Sequence, residues 1–284
     1  MDEPVLQYDD LHTGQQFPAV PCLLEAAFID GYLQATDEHH PLFAITTPGR
    51  TSGTYAPPLC TSLVRFAKGS LGGRWPTGTV HLSQEMRFLR PLHRGEGLTL
   101  EVQIGEKYSR TDRHYIELLT TTRDREQRPV VHGAMLMLWA GATQPSAQAQ
   151  KARPPHERLE PIPDGKELVP IIVNFTRSRL QAYGEVAGAR DPIHLDPQYA
   201  LRTRFGKNIA QGLLILTLIS RLMLRTFAED WLTRGALKVR FVKPVFVGDQ
   251  VTACGVLLAE PPGGCVVWCE NQHGDRVIDG QASV

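Results

Sequence analysis

The feature that most constrains this chain is an internal repeat. Met86-Arg-Phe-Leu-Arg-Pro-Leu-His-Arg-Gly-Glu-Gly-Leu-Thr99 lies over Val239-Arg-Phe-Val-Lys-Pro-Val-Phe-Val-Gly-Asp-Gln-Val-Thr252 without a gap. Arg, Phe, Pro, Gly and Thr are identical, and most other positions exchange like for like. Ala56-Pro57-Pro58-Leu59 lies over Ala210-Gln211-Gly212-Leu213, and PVVHGAML (129–136) lies over RVIDGQAS (276–283). The chain is therefore two copies of one unit. Each copy must cover an apolar sheet face, and a helix laid on the sheet is one two-layer way to do so.

The hydrophobic periods fill in that unit. Cys22 to Thr36 has helical spacing, with Leu23, Leu24, Ala27, Phe28 and Tyr32 sharing a face. A Gly/Thr/Pro-rich loop, TTPGRTSGTYAPP, follows, and Leu59 to Phe66 reads as the start of an apolar helix. From Thr79 to Ala140 the period changes to that of strands: HLSQEMRFL, LTLEVQIGEKY, HYIELLTTTRD and PVVHGAMLMLWA. Residues 142–167 are rich in Ala, Gln and Pro and suit a linker. The same order then recurs, with a long helix over Gln211 to Phe227 and strands from Gly235 to Ser283. The expected division is 1–140, a linker over 141–168, and 169–284. Each unit is α+β, an antiparallel sheet with one central helix.

Composition narrows the class. Two units of about 140 residues are each large enough to bury a core. Thirty basic residues balance thirty acidic ones, which argues against nucleic acid as a partner. The best apolar run, Leu213 to Leu224, is too short for a bilayer and carries Arg221. The first residues, MDEPVLQYDD, lack the basic-then-apolar form of a signal peptide. Five scattered cysteines fit reduced thiols, so the expected location is cytoplasmic. Cys265 and Cys269, four apart in one strand, point to packing rather than to a disulfide or zinc.

Chemistry concentrates in YGEVAGARDPIHLDPQYALRTRFGKNIAQGL, Tyr183 to Leu213. His194 stands in a Pro-Ile-His turn ahead of Asp196-Pro197, a good start for a short helix. Gln211-Gly212 opens the apolar run LLILTLISRLMLRTF. An imidazole titrates near neutral pH, and free N–H groups at a helix start polarise a carbonyl oxygen. Spacing alone leaves two readings open: an acid/base residue, or a histidine that satisfies a turn.

The same stretch resembles the hydratase signature of the MaoC-like, hot-dog-fold enoyl-thioester hydratases and dehydratases. In that pattern an aromatic residue precedes Gly-Asp-x-Asn-Pro-Ile-His, and a small residue follows after five positions. Tyr183, Gly188, Pro192, Ile193, His194 and Ala200 fall in register, and Phe205-Gly206 and Ile209-Ala210-Gln211-Gly212 continue it. Three positions depart. The family's catalytic Asp falls on Ala189, its Asn on Asp191, and the His that often precedes the helix glycine on Gln211.

The resemblance implies a tandem double hot dog. Its activity would be reversible hydration of trans-2-enoyl thioesters, or dehydration of (R)-3-hydroxyacyl thioesters. His194 would be the catalytic histidine, and Asp191, the nearest carboxylate, its catalytic partner in place of the family's Asp, or else a structural turn residue. Gly212, Gln211, Ala189 and Tyr183 would lie around the substrate, with the thioester oxygen on the Gly212 N–H. The implied partner is an acyl-CoA or acyl-carrier-protein thioester, with no cofactor or metal, no nucleic acid and no membrane. A homodimer of double hot dogs is compatible with it. In the first copy Phe43 stands at the histidine position and Pro57-Pro58 replaces Gln211-Gly212, removing N–H groups. That copy would then shape the acyl tunnel. Two alternatives stay in view: a non-catalytic acyl-thioester-binding or partner subunit, and a thioesterase. His39 and His40 read as surface residues and His132 as a strand residue. Arg204, Lys207, Arg240 and Lys243 are candidates for phosphate contacts.

Overall fold

A computed structural model describes residues 4–44, 55–110, 112–140, 162–259 and 264–284. Most of the Gly/Thr/Pro-rich loop and the linker as far as residue 161 lie outside them. The first half comprises β1 (Val20–Leu23), α1 (Ala26–Thr36), β2 (Tyr55–Ala56), α2 (Val64–Leu71), β3 (Val80–Phe88), β4 (Leu92–His93), β5 (Gly97–Arg110), β6 (Arg113–Arg123) and β7 (Pro129–Trp139). The second half comprises β8 (Lys166–Glu167), β9 (Ile171–Asn174), α3 (Arg177–Ala187), α4 (Pro192–Leu195), α5 (Pro197–Leu201), α6 (Gly212–Phe227), α7 (Glu229–Arg234), β10 (Ala236–Phe241), β11 (Gln250–Leu257), β12 (Gly264–Asn271) and β13 (Arg276–Ser283).

Period-two patterning builds the strands. Along β5, Leu98, Leu100, Val102 and Ile104 are buried while the residues between them reach the surface. The strands form one eleven-stranded antiparallel sheet in the order β1-β5-β6-β7-β3-β10-β13-β12-β11, with β8 and β9 both on β11. The last residues of the expected linker thus join the sheet, where Lys166 and Glu167 pair with Leu257 and Val256. The two halves meet where β3 pairs with β10. Register repeats with sequence: Met86 faces Gly133 in one half, and Val239 faces Gly280 in the other.

The central helix of the second half is α6. Leu213 to Ile219, Leu222, Met223 and Leu224 are all buried, and the helix packs against β9, β11, β12 and β13. Each such Leu or Ile contributes roughly 1.5–3 kcal/mol on burial, so packing rather than capping holds this helix. The first half differs from expectation. Pro58–Ser62 is a 3-10 segment, Leu63 is extended with ψ 142, and α2 begins only at Val64 and lasts eight residues. Pro57 and Pro58 supply the reason: neither has an N–H to donate, and proline biases the residue before it away from helix.

Helices α1 and α3 pack on each other where the halves join, with the Tyr32 and Tyr183 rings 6.4 Å apart. Arg179 donates to the Thr36 carbonyl at 3.3 Å and pairs with Asp37 at 3.2 Å. Arg221 of α6 reaches the same carbonyl, and its Nε lies 3.7 Å from Glu38 Oε2. Cations of the second half therefore close the C-terminal end of α1, where the helix dipole favours positive charge.

Candidate active site

Thr176 caps the start of α3, its hydroxyl accepting from Arg179 N, and Gly188, with φ +67, caps its end. A left-handed residue is the usual way to stop a helix, and here glycine is also needed for room. A Cβ on Gly188 would stand 2.8 Å from Arg65 Cβ of α2. Ala189 N then donates to Gly184 O at 3.0 Å, turning the chain into Asp191.

Asp191 caps α4: its Oδ1 accepts from Ile193 N at 3.0 Å, and its carbonyl accepts from His194 N at 2.9 Å. Asp196 caps α5 in the same way through Gln198 N at 2.8 Å. These two Asx-Pro starts hold a tight pair of turns with His194 between them. His194 is partly buried, and its Nδ1 meets the Ile209 carbonyl at 2.8 Å. A carbonyl only accepts, so Nδ1 carries the proton and Nε2 is left with a free lone pair. Burial holds the imidazole below its ordinary pKa. The Ile209 carbonyl and the Asp191 charge pull it up, and Lys68 of α2 pushes it down. The ring is thus mainly neutral at pH 7, as a base requires.

The loop that carries Ile209 is anchored on both sides. Asn208 is buried, and its amide donates to the carbonyls of Ile193 and Asp196, each at 3.0 Å. Ala210 N donates to Val245 O at 2.7 Å. Gln211 follows, 3 % exposed, with Nε2 donating to Leu180 O at 3.0 Å and Ala189 O at 3.4 Å. Gly212 begins α6, and a Cβ there would lie 3.1 Å from Phe241. The first N–H groups of an α-helix have no partner within it, so the Gly212 N–H is a donor that α6 itself does not use.

The structure thus gathers His194, Asp191, Ala189, Gln211 and Gly212 around the start of α6. Tyr183 is set deeper, buried between the halves, with no hydrogen-bond partner for its hydroxyl among the described residues. Burial raises that hydroxyl's pKa well above the tyrosine range. Arg240 and Lys243, read as phosphate candidates, are engaged by Asp279 and Asp275. His40 caps the 3-10 turn before Phe43 by accepting from Leu42 N. Sequence reasoning missed Asn208, Arg65, Lys68 and Phe241. Asn208 had a signal of sorts, a two-donor amide in the loop that leads to Gln211-Gly212. The others reach the site only through folding. Two broad open depressions, on the sheet by Glu85 and Lys238 and between α1 and α3, are not lined by His194.

An antiparallel sheet with one buried helix, and a histidine turn tied to the loop at that helix's start, defines a hot dog architecture. Residues 161–259 match the model of the MaoC like domain. The (R)-specific enoyl-CoA hydratase of Aeromonas caviae is 33% identical over 79 residues, covering 28% of this chain and 59% of that protein. The 3-hydroxybutyryl-CoA dehydratase of Methylorubrum extorquens is 32% identical over 114 residues, covering 39% of this chain and 72% of that protein. Among solved structures, a MaoC-like dehydratase from Phytophthora capsici superposes with a TM-score of 0.75 at 20% identity, over 98% of this chain and 97% of that one. The chain belongs to the MaoC-like dehydratase family. Its match spans less than two thirds of the length of the Aeromonas hydratase. No helix among the described residues is long and apolar enough to cross a membrane.

Proposed function

We propose that this protein reversibly adds water to a trans-2-enoyl thioester, giving a (R)-3-hydroxyacyl thioester, with residues 169–284 carrying the site and residues 1–140 shaping the acyl cavity. The observation that carries this is His194: Nδ1 is tied to the Ile209 carbonyl, which leaves Nε2 as the ring's acceptor, and Ile209 lies on the loop that leads into the start of α6. Nε2 takes a proton from water as oxygen bonds to Cβ. The thioester oxygen, holding the developing negative charge, accepts from Gly212 N–H. The imidazolium then returns the proton to Cα. Asp191 caps the turn and favours the imidazolium by its charge. Coenzyme A and acyl-carrier-protein thioesters share the reacting group, and either is the partner on this reading. The five free cysteines suit a cytoplasmic setting.

The test is turnover of a series of 2-enoyl-CoA substrates, followed by loss of the conjugated enoyl absorbance. Hydration that is abolished in His194→Ala supports the reading. A chain that binds these thioesters without turning them over, consistent with Ala189 at the family's acid position, would instead be a binding subunit. Release of free thiol would mark a thioesterase.

A further inference from the structure

Gln211, whose amide reaches the Ala189 carbonyl, carries a buried acceptor without a partner among the described residues. Gln211 Nε2 donates to two carbonyls, those of Leu180 and Ala189. This orients the amide, because the reverse orientation would set its oxygen against two others. Oε1 therefore points away from both carbonyls. It is buried and has no hydrogen-bond partner among the described residues. The side chain makes no cap bond to α6 either. An acceptor in that state calls for a donor from outside the chain.

We propose that Gln211 Oε1 is the second ligand of the reacting water, in the place of the carboxylate missing at Ala189. This rests on the hydratase reading above. Gln211 stands two residues after Ile209, which anchors His194, and one before Gly212. Water has two hydrogens to place. One goes to His194 Nε2 and is transferred as the oxygen lone pair forms the bond to Cβ. The π electrons move through Cα to the thioester oxygen, and the same proton then reaches Cα as the carbonyl re-forms. The other hydrogen never leaves oxygen: it begins on water and ends on the 3-hydroxyl. Its acceptor need not be a base, so a neutral amide suffices. In the dehydration direction the amide orients the leaving hydroxyl.

The experiment compares wild type, His194→Ala, Gln211→Met and the double variant Ala189→Asp/Gln211→Met on crotonyl-CoA, with thermal unfolding of each. Gln211→Met keeps the length and removes the acceptor, so kcat should fall roughly 10- to 100-fold, with KM changed far less. Ala189→Asp in that background should recover at least about tenfold of the loss, which a merely structural glutamine would not allow. A folded Gln211→Met enzyme with wild-type kcat, or a double variant without rescue, overturns the assignment. If Gln211→Met does not fold, Ala189→Asp alone decides. With Gln211 in place the added carboxylate crowds a filled position and should lower turnover; a rise of about tenfold or more would show that the water lacked its ligand. A wild type that hydrates no enoyl thioester overturns the hydratase reading and this assignment with it. An active wild type indifferent to Gln211 overturns the assignment alone.

Discussion

Glu85 and Lys238 hold the same position in the two copies of the repeat, and they face each other where β3 pairs with β10. Lys238 Nζ lies 2.5 Å from Glu85 Oε1. The pseudo-twofold axis relating the halves passes through this pair. In a symmetric dimer of identical units the same position would oppose two like charges. A covalently joined pair of unlike units can place opposite charges there, and this one does.

Both side chains are well exposed, so the pair is worth about 0.5 kcal/mol. Glu85→Lys should lower stability by that amount or somewhat more, since like charges directly opposite on a sheet repel. The swap Glu85→Lys/Lys238→Glu should restore it. Urea midpoints at low salt measure both; equal midpoints for the single variant and the swap would remove the pair from any role in joining the halves.

Asp191 separates capping from charge. Asparagine caps as well as aspartate does, so Asp191→Asn should keep α4 and leave turnover within about tenfold. It also removes a negative charge that raises the His194 pKa. The acid limb of the hydration pH profile, set by loss of neutral His194, should therefore move to lower pH. A limb that stays in place, or a complete loss of turnover, would assign Asp191 another part.

His81 is expected to make the fold acid-sensitive. Its ring lies 4.7 Å from that of Phe241, tilted by 50°, and its Nε2 meets the Ser83 carbonyl at 2.9 Å. Burial pushes its pKa down to about 4, with the Ser83 carbonyl acting in the opposite direction. Above its ordinary value of 6.5 both folded and unfolded states are neutral here. As pH falls from there the unfolded chain protonates first, so stability is lost progressively until the folded-state value is passed. The loss is on the order of 3 kcal/mol. Urea denaturation at successive pH values should show that slope in wild type and a flatter one in His81→Leu.

Gly212 is a matter of room. Gly212→Val would drive a branched side chain into Phe241 and crowd the first N–H groups of α6. We expect hydration to fall roughly 100-fold, the scale for loss of an oxyanion donor. Circular dichroism should show α6 retained, because its burial along Leu213 to Leu224 is untouched. Full activity in a folded variant would place the thioester oxygen elsewhere.

Much of this molecule is written locally. Alternation made β3, β5, β6 and β7 legible to within about two residues, and a continuous apolar run marked α6. Side-chain chemistry marked the Asx-Pro start at Asp196, while the matching cap by Asp191 emerged with the structure. The gapless repeat implied paired copies, because two units with one pattern expose complementary edges. Local signals misjudged the first copy's helix, where apolar periodicity predicts helix but two prolines forbid its first turn.

What the amino-acid sequence determined by itself was which elements form and that His194 stands in a helix-flanking turn; hydrophobic period and turn chemistry act over a few residues and need no partner. Tertiary structure decided the rest. It set Nδ1 of His194 on the carbonyl of Ile209, pinned Asn208 across both turns, brought Lys68 of the other half within range of the imidazole, and left Gln211 Oε1 buried without a partner. Each of these depends on contacts between separate segments of the chain or on the exclusion of water, and neither exists until the chain has folded.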